Sequence, residues 1–290
     1  MAELLDELRP RAFAIAYRML GSVGEAEDVV QEGLLRLHAV LAAGEEVEVP
    51  EAWLATVVTL LGIDRLRSAR VRRETYVGEW LPEPVVTGGH DDPAVHAEMS
   101  DSLSLAFLVL LERLSPEQRA VFLLREVFDY DYEAIAGIVG KSEAACRQLA
   151  VRARRHVERD RPRFEASRRD QDELARRFMT AVQTGDLDAL EALLAHDVGL
   201  HGDGGGKARA LAHPLFGRRR VARALVGWMR VVRGIDGFAI RPVEVNGRPG
   251  ALGIDGRQRV LYVLSLDIAD GQVQGIRAIV NPDKLRHLTA

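Results

Sequence analysis

Apolar residues recur every three or four positions through most of the chain, which predicts a largely helical molecule up to about residue 169. Ser22, followed three residues later by Glu25, forms a capping box. Ala26, Val29, Val30, Gly33, Leu34 and Leu37 then carry the apolar stripe of an amphipathic helix. Its opposite face carries Glu25, Asp28, Gln31 and Glu32. Pro50 opens another helix through Trp53, Leu54, Val57, Val58, Leu61, Ile63 and Leu66, and this helix runs into a cluster of arginines. Ser115-Pro116-Glu117-Gln118 is a compact helix start, and that helix continues to about Phe128. Beyond Gln171 the pattern changes to two amphipathic helices (around Leu174, Phe178 and Val182, then Asp186 to Leu194) and a short strand, Val198 to His201. A helix at Arg218 to Val232 follows, with strands at Phe238–Val245, Ala251–Ile254, Arg257–Asp267 and Gln272–Val280. Helices first and antiparallel strands last predict an α+β domain. Prolines and glycines between 77 and 93 interrupt the periodicity and mark a linker, yet Trp80 and Leu81 within it are residues that a free spacer has no use for. The resulting division is 1–76, a linker at 77–97, 98–169 and 170–290.

Length agrees with two or three domains, and 47% hydrophobic with 28% charged residues is ordinary globular composition. No apolar run approaches the roughly 18 residues of a membrane span, and the acidic start lacks a signal peptide's basic region, so a cytoplasmic protein with no membrane contact is expected. The single cysteine, Cys146, reads as a core residue, and no metal or other cofactor is indicated.

The net charge of −4 conceals segregation. Gly21 to Glu51 holds eight acids against one arginine, a surface that would repel nucleic acid and suit a basic protein. Gly62 to Arg73 reverses this with Arg65, Arg67, Arg70, Arg72 and Arg73 against Asp64, and Lys141 to Arg169 carries ten basic residues against four acids. Two separate basic patches, each ending a helical segment, point to two phosphate-contacting surfaces.

Tyr132 to His156 fits the helix-turn-helix template. Ala136 supplies the small crossing residue, Gly140 the turn, and Ile135, Val139, Cys146 and Leu149 the inner faces, while Ser142 caps the second helix. Glu143, Ala144, Arg147, Gln148 and Arg152 then face outward, where Arg suits guanine, Gln adenine and Glu cytosine; Arg154 and its basic neighbours continue the patch. The loop Asp203-Gly204-Gly205-Gly206-Lys207 invites a phosphate-loop reading and fails it, because the glycine spacing is one residue short and Ala208 replaces the magnesium-binding hydroxyl. His201, Asp203 and His213 are conceivable catalytic groups, but a tight structural loop fits Asp203 better. On these residues alone, a helix-turn-helix regulator fused to a ligand-binding or enzymatic domain is one reading that stays open.

The segments RAFAIAYRMLGSVGEAEDVVQEGLLRL, AWLATVVTLLGIDRLRSARVRRETYV and LSPEQRAVFLLREVFDYDYEAIAGIVGKSEAACRQLAVRARRHV closely resemble regions 2 and 4 of extracytoplasmic function sigma factors. WLPEP (Trp80, Leu81, Pro82, Glu83, Pro84), DGGGK (Asp203, Gly204, Gly205, Gly206, Lys207) and NPDKL (Asn281, Pro282, Asp283, Lys284, Leu285) resemble the signatures of the group with a fused C-terminal SnoaL-like domain. The resemblance implies two all-α domains followed by an α+β cone of the SnoaL and NTF2-like type, and a non-enzymatic sigma factor regulated in cis by that last domain. It implies RNA polymerase core as partner, through the β′ clamp helices and the β flap, with Asp28, Gln31 and Glu32 on the docking surface. Promoter DNA is the other implied partner: Arg65, Arg67, Arg70, Arg72 and Arg73 serve the minus-ten element, and Ser142, Glu143, Arg147, Gln148, Arg152 and Arg154 the minus-thirty-five element. The three signatures become interdomain regulatory residues. No separate anti-sigma factor is required, and a small-molecule ligand of the C-terminal domain is conceivable.

Overall fold

The computed structural model describes residues 1–87, 103–158 and 168–288, and, among these, the chain forms two compact units. One contains residues 1–75, 103 and 107–158, and the other 76–87, 104–106 and 168–288.

The first unit is helical. Helices α1 (Ala2–Leu20), α2 (Val23–Ala42) and α3 (Pro50–Glu74) pack around Ile15, Tyr17, Leu20, Val29, Leu37, Leu54 and Val58. The Ser22 hydroxyl accepts from the Glu25 backbone N–H, as the capping box requires. Helices α2 and α3 cross at Gly33, where a Cβ would stand 2.9 Å from Leu54 Cδ1 and 3.2 Å from Val58 Cγ2, so a larger residue would require these side chains to shift. After α4 (Leu105–Leu111), α5 (Pro116–Glu126) begins with both halves of its Ser115/Gln118 capping box formed. Arg119 on α5 is fully buried and answered by Glu112 at 2.6 Å and the Leu108 carbonyl at 3.2 Å.

Helices α6 (Tyr132–Val139) and α7 (Glu143–Glu158) make the helix-turn-helix. Asp131 caps α6, and Gly140 ends it at φ 65°, the left-handed conformation the turn demands. The inner core is Val121, Leu124, Ile135, Ile138, Cys146 and Ala150. Val139 and Leu149, expected inside, are half-buried at its margin: in an eight-residue helix Ile138, three after Ile135, takes the inward position. Burial raises the Cys146 thiol pKa, as befits a packing residue.

The second unit is α+β. A six-stranded sheet runs in the order β2-β1-β6-β5-β4-β3, with β1 Leu194–Asp203, β2 Leu215–Phe216, β3 Ala239–Val245, β4 Arg248–Ile254, β5 Val260–Ala269 and β6 Gln272–Ile279. The expected all-antiparallel sheet is corrected at one place: β1 and β6 run parallel, because the chain re-enters the sheet centre beside its first strand after three hairpin-linked strands. Helices α8 (Arg168–Thr184), α9 (Leu187–Leu193) and α10 (Arg218–Val232) cover one face, with Phe178, Leu190, Leu225, Met229, Leu264 and Ile276 in the core between. Residues 85–87 lie along β3: Val86 bridges Val245, Thr87 N–H donates to the Glu244 carbonyl, and Asn246 N–H donates to the Val85 carbonyl. Part of the WLPEP-bearing stretch thereby covers a sheet edge.

Candidate nucleic-acid interface and a buried ion-pair clasp

On α2, Asp28 and Gln31 are exposed and Glu32, half-buried, pairs with Arg36, so the three share one outward acidic face. On α3, Arg65 is half-buried. Arg67 is exposed, and its guanidinium binds Asp64 at 3.0 Å and Glu117 of α5 at 2.7 Å. These hydrogen bonds, Glu117's first, raise the Arg67 pKa and hold the Glu117 carboxyl below its ordinary value. Arg70, Arg72 and Arg73 lie on α3, and their side chains are outside the described residues.

The Ser142 hydroxyl caps α7 by accepting from Ala145 N–H. Arg147, Gln148, Val151 and Arg152 line a shallow groove along the exposed face of α7. Glu143 pairs with Arg147, whose guanidinium also lies 5.2 Å from the Tyr132 ring centre, while Arg154 pairs with Glu126 of α5. Val151, 45% exposed, lines the same groove, although an apolar residue at helical spacing ordinarily signals core.

In the second unit the three signature motifs meet. Asp203 ends β1 with no solvent exposure, which corrects its expected place in a loop: the parallel pairing with β6 extends the strand to this residue. One carboxylate oxygen accepts from the Tyr76 hydroxyl at 2.5 Å. The other accepts from the Leu81 N–H at 2.8 Å and from Lys284 Nζ at 2.7 Å. Lys284 also donates to the Leu81 carbonyl and stands 4.2 Å from the Trp80 ring centre. Leu81 is completely buried, Pro82 and Pro84 are buried, and Glu83 is half-buried. Asn281 donates to the Tyr76 hydroxyl at 2.8 Å, and its own backbone N–H reaches the Asp203 carbonyl. Lys207 pairs with Asp283, joining DGGGK to NPDKL, while Leu285 is buried and Pro282 exposed. Gly204 and Gly205 leave no room for a side chain: a Cβ would sit 2.3 Å from the Ala208 carbonyl oxygen at Gly204 and 2.2 Å from Asn281 Nδ2 at Gly205. Gly206, exposed at φ 71°, faces Val77. Burial and the Asp203 carboxylate push the Tyr76 hydroxyl pKa strongly upward, keeping it a donor.

Tyr76, Glu79 and His287 belong to this arrangement and were not foreseen. The His201 ring hydrogen-bonds Glu79 at 2.8 Å and His287 the Pro84 carbonyl at 2.8 Å. Isolated polar residues far apart in the chain carry no pattern that would mark them. His213 is exposed. Alternation along β1 turns Leu200 and Gly202 toward the helices, where they line a largely apolar cavity of about 410 Å³ with Trp228, Val231, Leu264 and Val280. His201 and Asp203 thus hold the 76–87 strip on the strand's opposite face.

Residues 4–72 match Sigma-70 region 2 and residues 104–157 match Sigma-70 region 4. These define a sigma-type transcription initiation factor. The chain is 40% identical to the ECF RNA polymerase sigma factor SigJ of Mycobacterium tuberculosis, over 96% of this chain and 91% of that one. It is 32% identical to the probable ECF RNA polymerase sigma factor SigI of the same species, over 95% and 91%. The crystal structure of M. tuberculosis SigJ superposes with a TM-score of 0.78 at 36% identity, covering 98% of both chains. The protein belongs to the extracytoplasmic function RNA polymerase sigma factors, a family whose partners are RNA polymerase core and promoter DNA. Among the described residues no helix is long and apolar enough to cross a membrane.

Proposed function

We propose that this sigma factor is regulated in cis by its α+β unit, acting through the strip at 76–87. The observation that carries the proposal is the Asp203–Lys284 ion pair closed around Leu81, which joins three motifs separated by up to 203 residues. Docked, these twelve residues are part of the second unit. Released, they become linker between regions 2 and 4 and add roughly 40 Å of reach at about 3.3 Å per residue. Because region 2 and region 4 each bind a separate promoter element, the length of the tether between them sets their effective concentration on DNA. Docking and release are then a switch, with no separate anti-sigma factor and no enzymatic step.

In this reading Asp28, Gln31 and Glu32 meet the β′ clamp helices, and region 4 meets the β flap. Arg65, Arg67, Arg70, Arg72 and Arg73 contact the minus-ten element, and Arg147, Gln148 and Arg152 the minus-thirty-five element. A small apolar ligand in the helix-side cavity would act on β1, the strand that grips the strip. The test is in vitro transcription from a cognate promoter with core polymerase, comparing the full chain with one ending at Val280, which lacks NPDKL. A changed transcript yield is expected, and an unchanged one defeats the proposal.

A further inference from the structure

The segment Phe216–Gly234 contains six arginines and no acidic residue, and the assigned promoter contacts use none of them. Helix α10 fills most of it. Its inner side, Val221, Ala222, Leu225, Val226, Met229 and Val232, is buried in the core of the second unit. Arg219, Arg223 and Arg230 stand at i, i+4 and i+11, very nearly three whole turns, and so form one straight row about 16 Å long on the outer side. Arg220 and Arg233 flank the row, and all five are exposed. The ion pair described for the row, Arg219 with Glu191 at 3.7 Å, is loose, with the arginine side chain 72% exposed.

This arrangement opposes the helix's own stability. Arg218, Arg219 and Arg220 occupy the first turn, where the helix dipole favours acids, and no acid is present there; Gly217 provides no side-chain cap. Like charges at i, i+4 (Arg219 and Arg223) add repulsion. Since the row faces away from the core, packing does not require it.

We propose that the outer face of α10 binds the sugar-phosphate backbone of duplex DNA, giving the α+β unit a nucleic-acid contact of its own. Charge complementarity selects the partner. The row is composed of planar guanidinium forks without a single lysine, the geometry suited to phosphate oxygens, and its three arginines match roughly three phosphates of one strand. Gly227 and the exposed Val231 share this side of the helix, but every charged side chain on it is an arginine, so the charge it presents is of one sign. The inference goes beyond regulation in cis and does not depend on the clasp.

The experiment uses the full-length chain and the variant R219Q/R223Q/R230Q, glutamine preserving helix propensity. Binding to a 40-base-pair duplex of unrelated sequence is followed by fluorescence anisotropy across a potassium chloride series, after circular dichroism has shown equal helix content. The slope of log K against log salt is expected to shrink by about 2 to 3 in the variant, close to 0.9 per lost phosphate contact, whatever the duplex sequence. Equal slopes overturn the proposal. Affinity for core polymerase is measured on the same pair and is expected to be equal. A loss there with an unchanged DNA slope assigns the row to an acidic polymerase surface and also overturns it. Failure of the unmodified chain to bind core would count against the proposed function alone, since the slope comparison needs no polymerase.

Discussion

A carboxylate with no solvent exposure needs a counter-charge and donors, and at Asp203 these come from Lys284, Tyr76 and the Leu81 backbone. Replacing Lys284 by methionine keeps the aliphatic stem but leaves the Asp203 carboxylate unanswered, which is expected to cost about 3–5 kcal/mol in denaturant unfolding of the second unit. Adding D203N to K284M should recover part of that loss, because an amide is cheaper to bury than an unpaired charge. A loss below about 1 kcal/mol for K284M would show that the pair does not hold the strip. From sequence, Asp203 and Lys284 were legible as members of unusual motifs. Their pairing was not, because nothing local connects residues 81 positions apart.

At the scale of elements, capping and turn chemistry were the most readable features. Ser22, Ser115, Ser142 and Gly140 each stand where the spacing placed them, since caps and left-handed turns are decided by a few adjacent residues. Gly140 offers a clean test: a Cβ built there meets nothing within 4 Å, so alanine introduces backbone strain alone. G140A is expected to cost about 1–2 kcal/mol in thermal unfolding and to weaken binding to minus-thirty-five DNA. A stability loss without a binding loss would detach the turn from recognition. The contact between α3 and α5 depends on pH with a definite sign. Glu117's folded pKa is lowered, chiefly by the Arg67 hydrogen bond, so the Arg67–Glu117 pair persists above the ordinary carboxylate range and is lost as pH falls through the lowered value. The pair is largely exposed, and E117Q is therefore expected to change stability by less than about 1 kcal/mol.

For the whole molecule, the full chain and a truncation near Arg169 are both expected to co-elute with core polymerase on gel filtration, because the proposed polymerase-docking residues precede the cut. Failure of both would separate the chain from its family's activity. Periodicity and charge segregation by themselves determined the helical first part, the helix-turn-helix, the change to α+β near residue 170 and the two basic patches. Such features depend on residues a turn or two apart, which the chain displays in order. Only the tertiary structure decided the parallel pairing of β1 with β6, the burial of Asp203, and the membership of residues 76–87 in the second unit rather than in a linker. It also showed that Arg219, Arg223 and Arg230 of α10 are all exposed. These depend on pairings between distant segments, whose free energy comes from desolvating a few specific groups together, and a local sequence pattern does not record which groups meet.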